Sequence, residues 1–217
     1  MCEKAILFDL DGTLNDSAEG IINCVIHTFN HFGLPYKNRG ELEVFIGPPL
    51  REMFVKFGVP PEKAEEALKV YRSRYVGKGM FECQIYPGIK EMLKTLKDKG
   101  YTLFVATSKP EEMAIEIIKK IGIYNFFEDI YGATLDKSRD KKEEVLEYLL
   151  QKNPKIKKAL MIGDTLFDVV GAKMHNIPTV AVSWGYGNVK EMLKNGAVAV
   201  ANTPNELTEI IEREMPL

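Results

Sequence analysis

The segment Ile6-Leu7-Phe8-Asp9-Leu10-Asp11-Gly12-Thr13 decides the fold. Its apolar part has the make-up of a buried strand, and two carboxylates follow at once. In an extended segment residues i and i+2 project to the same side, so Asp9 and Asp11 reach one site. Two such charges close together in a low dielectric repel, so one carboxyl stays protonated or a cation offsets them. That arrangement suits one group as nucleophile and the other as proton donor. Gly12 lets the chain turn sharply beneath a ligand. The same residue types also make plain surface turns. A calcium loop fails by position: with Asp9 first, the sixth residue is Leu14 rather than Gly and the twelfth is Gly20 rather than Glu.

Working outward, further apolar runs end on polar residues. They are 102–106 before Thr107, 159–162 before Gly163-Asp164, 179–182 before Ser183, and 197–201 before Asn202. Between them, Ile89, Met92, Leu93 and Leu96 keep helical spacing, and Met113, Ile117, Ile118 and Ile121 share one face. Continuously apolar strands alternating with amphipathic helices predict an α/β fold, a Rossmann-like doubly wound parallel sheet covered on both faces. Ligands bind such sheets at the carboxyl ends of the strands, which is where the polar residues fall.

From about Asp16 to Cys83 the alternation stops and only helical signals remain. Ile21, Ile22, Val25, Ile26, Phe29 and Phe32 fit one face; so do Ala64, Ala67, Leu68, Tyr71 and Tyr75, after Pro60-Pro61 at a helix start. The expected organisation is a Rossmann-like core of residues 1–15 and 84–217 with an inserted α-helical cap of residues 16–83. Its hinges are expected near 15–17 and 84–88, the second marked by Pro87-Gly88.

Composition narrows the function classes. The chain has 217 residues, 45% of them hydrophobic and 28% charged, which describes a globular protein with a sizeable core rather than a disordered one. Lys and Arg number 29 against 31 Asp and Glu, a net charge of -2, so neither nucleic acid nor an anionic membrane is expected as partner. Cys2, Cys24 and Cys83 are odd in number and scattered, which suggests no disulfide framework and no zinc site. No apolar run approaches the roughly 18 residues of a membrane span. The N-terminus lacks the apolar region and cleavage site of a signal peptide. A cytoplasmic protein is expected; the sequence leaves the oligomeric state open, with a monomer favoured.

With these residues in place, the chain resembles the haloacid dehalogenase superfamily of phosphatases and phosphomutases. The opening segment matches the hydrophobic strand and Asp-x-Asp-Gly-Thr of that family. A strand ending in Thr or Ser is met by Val105-Ala106-Thr107-Ser108-Lys109-Pro110, a lysine ahead of a helix by Lys141 or Lys142, and Gly-Asp-x-x-x-Asp by Gly163-Asp164-Thr165-Leu166-Phe167-Asp168. Four motifs in order are far more specific than any one alone. The resemblance implies that Asp9 attacks phosphorus and carries an aspartyl-phosphate, and that Asp11 protonates the leaving oxygen and then activates water. It implies Mg²⁺ held by the Asp9 carboxylate, the Asp11 backbone carbonyl and the Asp164 carboxylate, a hard oxygen shell. Thr107 and the motif lysine would hold phosphate oxygens, and Asp168 would orient water or lysine from behind. Relatives of this subgroup carry Lys-x-x-Val-Ile, which selects Lys142, although both lysines also fit a solvated helix start.

Further features point to the phosphoglycolate phosphatase-like branch: Thr107-Ser108-Lys109-Pro110, Trp184-Gly185-Tyr186-Gly187, and Ile46-Gly47-Pro48-Pro49-Leu50 in the cap. Gly12, Thr13, Ser108, Lys109 and Gly47 are the expected substrate-binding residues. Arg51 joins them as a partner for a substrate carboxylate or second phosphate, although a plain surface arginine fits as well. The substrate implied is a small phosphorylated metabolite, 2-phosphoglycolate first, with nucleotides, pyrophosphate and sugar phosphates as alternatives.

Other constellations carry less. His27 and His31 lack the Glu and third ligand of a zinc site and read as a polar helix face. Asn176 reads as the left-handed residue that ends a helix. Met92, Met113, Met161 and Met174 read as core filler. Ala181-Val182-Ser183-Trp184-Gly185 resembles a nucleophile elbow, but the last histidine, His175, lies upstream and the triad order fails. No Gly-x-Gly-x-x-Gly or Walker sequence supports a nucleotide binder, and a phosphorylated receiver domain would not need the helical insertion.

Overall fold

The computed structural model describes residues 3–136 and 138–216; Cys2 lies outside the described residues. In chain order the elements are β1 (Lys4–Phe8), β2 (Asn15–Asp16), α1 (Ala18–Phe32), α2 (Leu50–Lys56), α3 (Ala64–Tyr75), β3 (Gln84–Ile85), α4 (Ile89–Asp98), β4 (Thr102–Pro110), α5 (Glu111–Lys120), β5 (Asp129–Ala133), α6 (Lys142–Lys152), β6 (Lys158–Gly163), α7 (Leu166–Lys173), β7 (Thr179–Val182), α8 (Val189–Asn195), β8 (Ala199–Ala201) and α9 (Pro204–Glu214). They divide into two compact units, one of Met1–Asp16 with Ile85–Leu217 and one of Ser17–Gln84.

The first unit holds a 6-stranded parallel sheet in the order β5-β4-β1-β6-β7-β8. This is the doubly wound α/β architecture. β1 is central because Ala5, Ile6, Leu7 and Phe8 are wholly buried and apolar, so either face of the strand finds a cover. On one face Leu7, Phe104, Ala106 and Met161 pack with Val145, Leu146 and Leu149 of α6 and Ala172 of α7. Chain order reverses beside β1, and the carboxyl ends of the strands around such a point are where sheets of this kind bind ligands. β4 runs on past Ala106 with a register irregularity against β5 between Ala106 and Pro110, the kind of bulge that re-aims side chains next to a site.

The Ser17–Gln84 unit is helical. Its centre is aromatic: the Phe29 ring lies 5.7 Å from Phe45, and Phe45 lies 5.3 Å from Phe54 and 4.9 Å from Phe57. Such tilted and edge-on pairs bury large area with favourable ring geometry.

Several details depart from the expectations. β5 was not anticipated, nor were α2 and the 3₁₀ segment Arg39–Phe45. The final strand begins at Ala199 rather than at Ala197. Met174 is not core: it is 64% exposed on the turn after α7, while Met92 and Met161 are buried as expected. Asn176 does take the left-handed conformation, with φ 57. No helix among the described residues is long and apolar enough to cross a membrane.

Candidate active site

Asp9 follows β1 and is almost wholly buried. Its Oδ1 accepts a hydrogen bond of 2.6 Å from Lys142 Nζ. Lys142 is the first residue of α6 and is 4% exposed, an unusual place for an ammonium unless it is paired. It donates also to the Ala106 carbonyl at 2.8 Å, and its Nζ stands 2.8 Å from Asp168 Oδ1 as an ion pair. Two of its three donors are thus spent on Asp9 and Ala106, and the ammonium is also paired with the Asp168 charge. Lys142, expected at the site as the motif lysine, fixes one oxygen of the Asp9 carboxylate. Lys141, by contrast, is exposed at the cap position of the same helix.

Burial opposes the charge on Lys142, but the Asp168 and Asp9 carboxylates override that and hold its pKa above the ordinary lysine range. Asp9 is pushed up to about 6, first by burial and then by the Asp168 and Asp11 charges, with Lys142 pulling the other way.

Asp11 has its own lysine. Lys109 Nζ lies 2.7 Å from Asp11 Oδ2, and the lysine side chain is nearly buried. Lys109, an expected substrate-binding residue, thus stands beside the second aspartate at the end of β4. Thr107 is buried, and its Oγ1 accepts the Lys109 N–H at 3.2 Å. Ser108 is exposed.

Asp164 follows β6 and is fully buried. Its Oδ1 accepts from Thr13 Oγ1 at 3.2 Å and its Oδ2 from the Tyr186 N–H at 2.9 Å. Burial and the neighbouring Asp168 and Asp9 charges push its carboxyl well above the ordinary range. Asp9, Asp164 and Asp168 each place an oxygen within 4.8 Å of the others.

Four separate loops thus bring carboxylates and lysines to one end of the sheet, and similarity places this arrangement among known proteins. Residues 6–182 match the model of the haloacid dehalogenase-like hydrolases. The chain belongs to that family. It is 40% identical over 211 residues to tyrosine-protein kinase PtkA of Mycobacterium tuberculosis, covering 96% of this chain and 72% of that one. It is 39% identical over 189 residues to a 5'-nucleotidase of Pseudomonas aeruginosa, covering 86% of each. The crystal structure of a "predicted phosphatase" from Clostridium acetobutylicum superimposes with a TM-score of 0.89 at 38% identity, over 98% of this chain and 100% of that one.

In this hydrolase the donor set fits a hard divalent cation. Among the described residues, the four carboxyl groups of Asp9, Asp11, Asp164 and Asp168 are paired with two ammonium groups, those of Lys109 and Lys142. Asp11 Oδ1 is buried without a hydrogen-bond partner. Gly12, at φ 83, lies so close that a Cβ there would stand 2.2 Å from Asp164 Oδ2, so the loop presses backbone against carboxylate. Asp168 is the least available of the acids. Lys142 holds its Oδ1, and its Oδ2 accepts from Thr165 N and Oγ1 in a capping box at the start of α7.

The hydrolase has contributors that residue types did not signal. Gly171 on α7 is one, since a Cβ there would meet Lys142 Cβ and Cγ at 2.8 Å. The Ala106 carbonyl is another, and no side-chain motif marks it. Of the inserted-unit residues, Gly47 has φ 100, and Arg51 is an exposed arginine whose Nε donates to Glu65 Oε1 at 3.1 Å. His27 and His31 are exposed on α1, and His31 lies 3.4 Å from Glu66.

Proposed function

We propose that this hydrolase is a phosphatase that releases phosphate from a small phosphomonoester through a phosphoenzyme formed on Asp9, with Mg²⁺ as cofactor. The observation that carries the reading is Lys142, an ammonium buried between Asp9 and Asp168 in a cluster with more carboxyl than ammonium groups. With one Asp9 oxygen fixed by Lys142, the other is aimed as nucleophile. Its lone pair forms a bond to phosphorus as the phosphorus–ester oxygen bond breaks, and Asp11 delivers a proton to the leaving oxygen. Asp11, now a carboxylate, takes a proton from water as that water attacks the phosphoaspartate, restoring Asp9 and freeing phosphate. Thr107 and Ser108, at the end of β4, are the side chains there for phosphate oxygens. Asp9, Asp164 and the Asp11 carbonyl would hold Mg²⁺, which supplies charge neutralisation for the transferring phosphoryl group.

Phosphate release from p-nitrophenyl phosphate, with and without Mg²⁺, tests the reaction class. Wild-type turnover that needs Mg²⁺ and vanishes in Asp9→Asn is the expected result. Phosphoryl transfer from ATP to protein tyrosine with no ester hydrolysis would overturn it.

For substrate, 2-phosphoglycolate is the choice that the branch features support. Nucleoside monophosphates are the second reading, favoured by the 39% identity to a 5'-nucleotidase. The pairing of Arg51 with Glu65 weakens the case for a dedicated carboxylate partner. Ranking kcat/KM across both classes decides between them. The two units of the chain are proposed to act as catalytic core and cap.

A further inference from the structure

The segment Trp184-Gly185-Tyr186-Gly187, after β7, lies outside the chemistry above yet touches three parts of the site. The indole Nε1 of Trp184 donates to the Thr13 carbonyl at 3.0 Å. The Tyr186 backbone N–H donates to Asp164 Oδ2 at 2.9 Å, and the Tyr186 hydroxyl donates to Asp16 Oδ1 at 2.7 Å. The glycines between are forced by contact. A Cβ on Gly185 would meet Asp164 Cβ at 2.3 Å and the Gly12 carbonyl at 2.4 Å, and one on Gly187 would meet the Asp164 carbonyl at 1.9 Å. Tyr86 is half-buried, and burial pushes its phenol up to about 12, so it stays a neutral hydroxyl.

We propose that Tyr186 is a positioning residue: its hydroxyl, clasped on Asp16, fixes the loop so that its N–H orients the Asp164 carboxylate toward the cation. A carboxylate next to a metal is aimed by the groups that hydrogen-bond it, and losing such a partner costs about 10–100-fold in metal affinity. Here the aiming donor is a backbone amide, which cannot turn by itself. The phenol holds the loop from its far side, and the clasp lands on the last residue before the inserted unit. The inference rests on reading Asp164 as a cation ligand.

The test is a Mg²⁺ titration without substrate, followed by the emission of Trp184, which is the single tryptophan of the chain. Tyr186→Phe is expected to bind Mg²⁺ about tenfold more weakly than wild type, with its metal-free melting temperature little changed. Asp16→Ala should reproduce that loss, Asp16→Asn, which keeps an acceptor oxygen, should recover most of it, and the Tyr186→Phe/Asp16→Ala pair should lose no more than either alone. Unchanged Mg²⁺ affinity in Tyr186→Phe, beside a large loss in Asp164→Asn, overturns the role of Tyr186 and leaves the cation site standing. No Mg²⁺ response in wild type, by emission or by melting, overturns both.

Discussion

Two cation–carboxylate clusters, a half-buried one in the helical unit and a buried one at the sheet, are built to opposite ends. In the helical unit, Arg74 donates from Nη1 and Nη2 to the two Glu82 oxygens, both at 2.9 Å, and Asn23 adds a 3.0 Å bond to Glu82 Oε2. One positive charge meets one negative charge in a fork-on-fork geometry. Those hydrogen bonds hold the Glu82 carboxyl below the usual glutamate range. At the end of the sheet, Lys142 faces both Asp9 and Asp168 with Asp164 beside them, and burial pushes Asp9 the other way, up to about 6. The first cluster is complete as a structural clasp. The second is left short of positive charge, which a well-paired network would not tolerate unless something else is to bind there.

Asp9→Asn should break the comparison most sharply. Turnover of p-nitrophenyl phosphate is expected to fall by at least about 10⁴-fold, because the nucleophile is lost. Its metal-free melting temperature should hold or rise, since one of the crowded carboxylates is neutralised. A lower melting temperature would contradict the charge argument.

Adding Mg²⁺ at about 100 times its Kd should stabilise the wild type by about 2.7 kcal/mol, and EDTA should remove that gain. The Arg74–Glu82 cluster offers the control: Arg74→Met should retain the full Mg²⁺ increment. That same variant should lose about 2 kcal/mol of stability, an exposed-side discount on breaking a buried pair, with kcat within twofold of wild type. Chemical denaturation and steady-state kinetics read the two effects separately.

Acid should act on the two clusters with opposite sign. Asp9 titrates higher folded than unfolded, so its contribution to stability is fully present below the unfolded value near 4 and is lost as pH rises through about 6. Metal-free protein should therefore gain on the order of 1 kcal/mol from this group between pH 7.5 and 5. Glu82 is shifted down, so its contribution is present above the unfolded value and is lost as pH falls through the folded one. Melting curves for Asp9→Asn between about pH 7.5 and 5, and for Glu82→Gln from about pH 6 down to about 3, each compared with wild type, separate the two; a wild-type gain that persists in Asp9→Asn would assign it elsewhere. The smallest effect is expected at Met174→Ser, within about 0.5 kcal/mol, because that side chain is 64% exposed.

Much of the sheet was legible because its strands are apolar runs that stop on Asp9, Thr107, Asp164 and Ser183, and a run with a polar end is a local signal. β5 was not, because Asp129-Ile130-Tyr131-Gly132-Ala133 offers only two large apolar residues and a glycine, and pairing with β4 supplies what local propensity lacks. Met174 misled for a related reason: residue type does not say which side of a helix end meets the core. At the site, residue types pointed to Asp9, Asp11, Asp164 and Lys142 as members, but not to who would pair with whom. That Lys109 sits on Asp11, that Lys142 bonds the Ala106 carbonyl as well as Asp9, and that Tyr186 reaches Asp16 are long-range contacts, set by how distant loops pack.

Gly171 carries a practical consequence. Replacing a helix-interior glycine by alanine is a standard route to a more heat-resistant protein, worth up to about 1 kcal/mol. On α7 that route is closed, because the added methyl would arrive 2.8 Å from the stem of Lys142 and displace the ammonium from the nucleophile. A softer helix is the condition for a correctly seated lysine, and variants ranked only by thermal endurance would be led astray at this position.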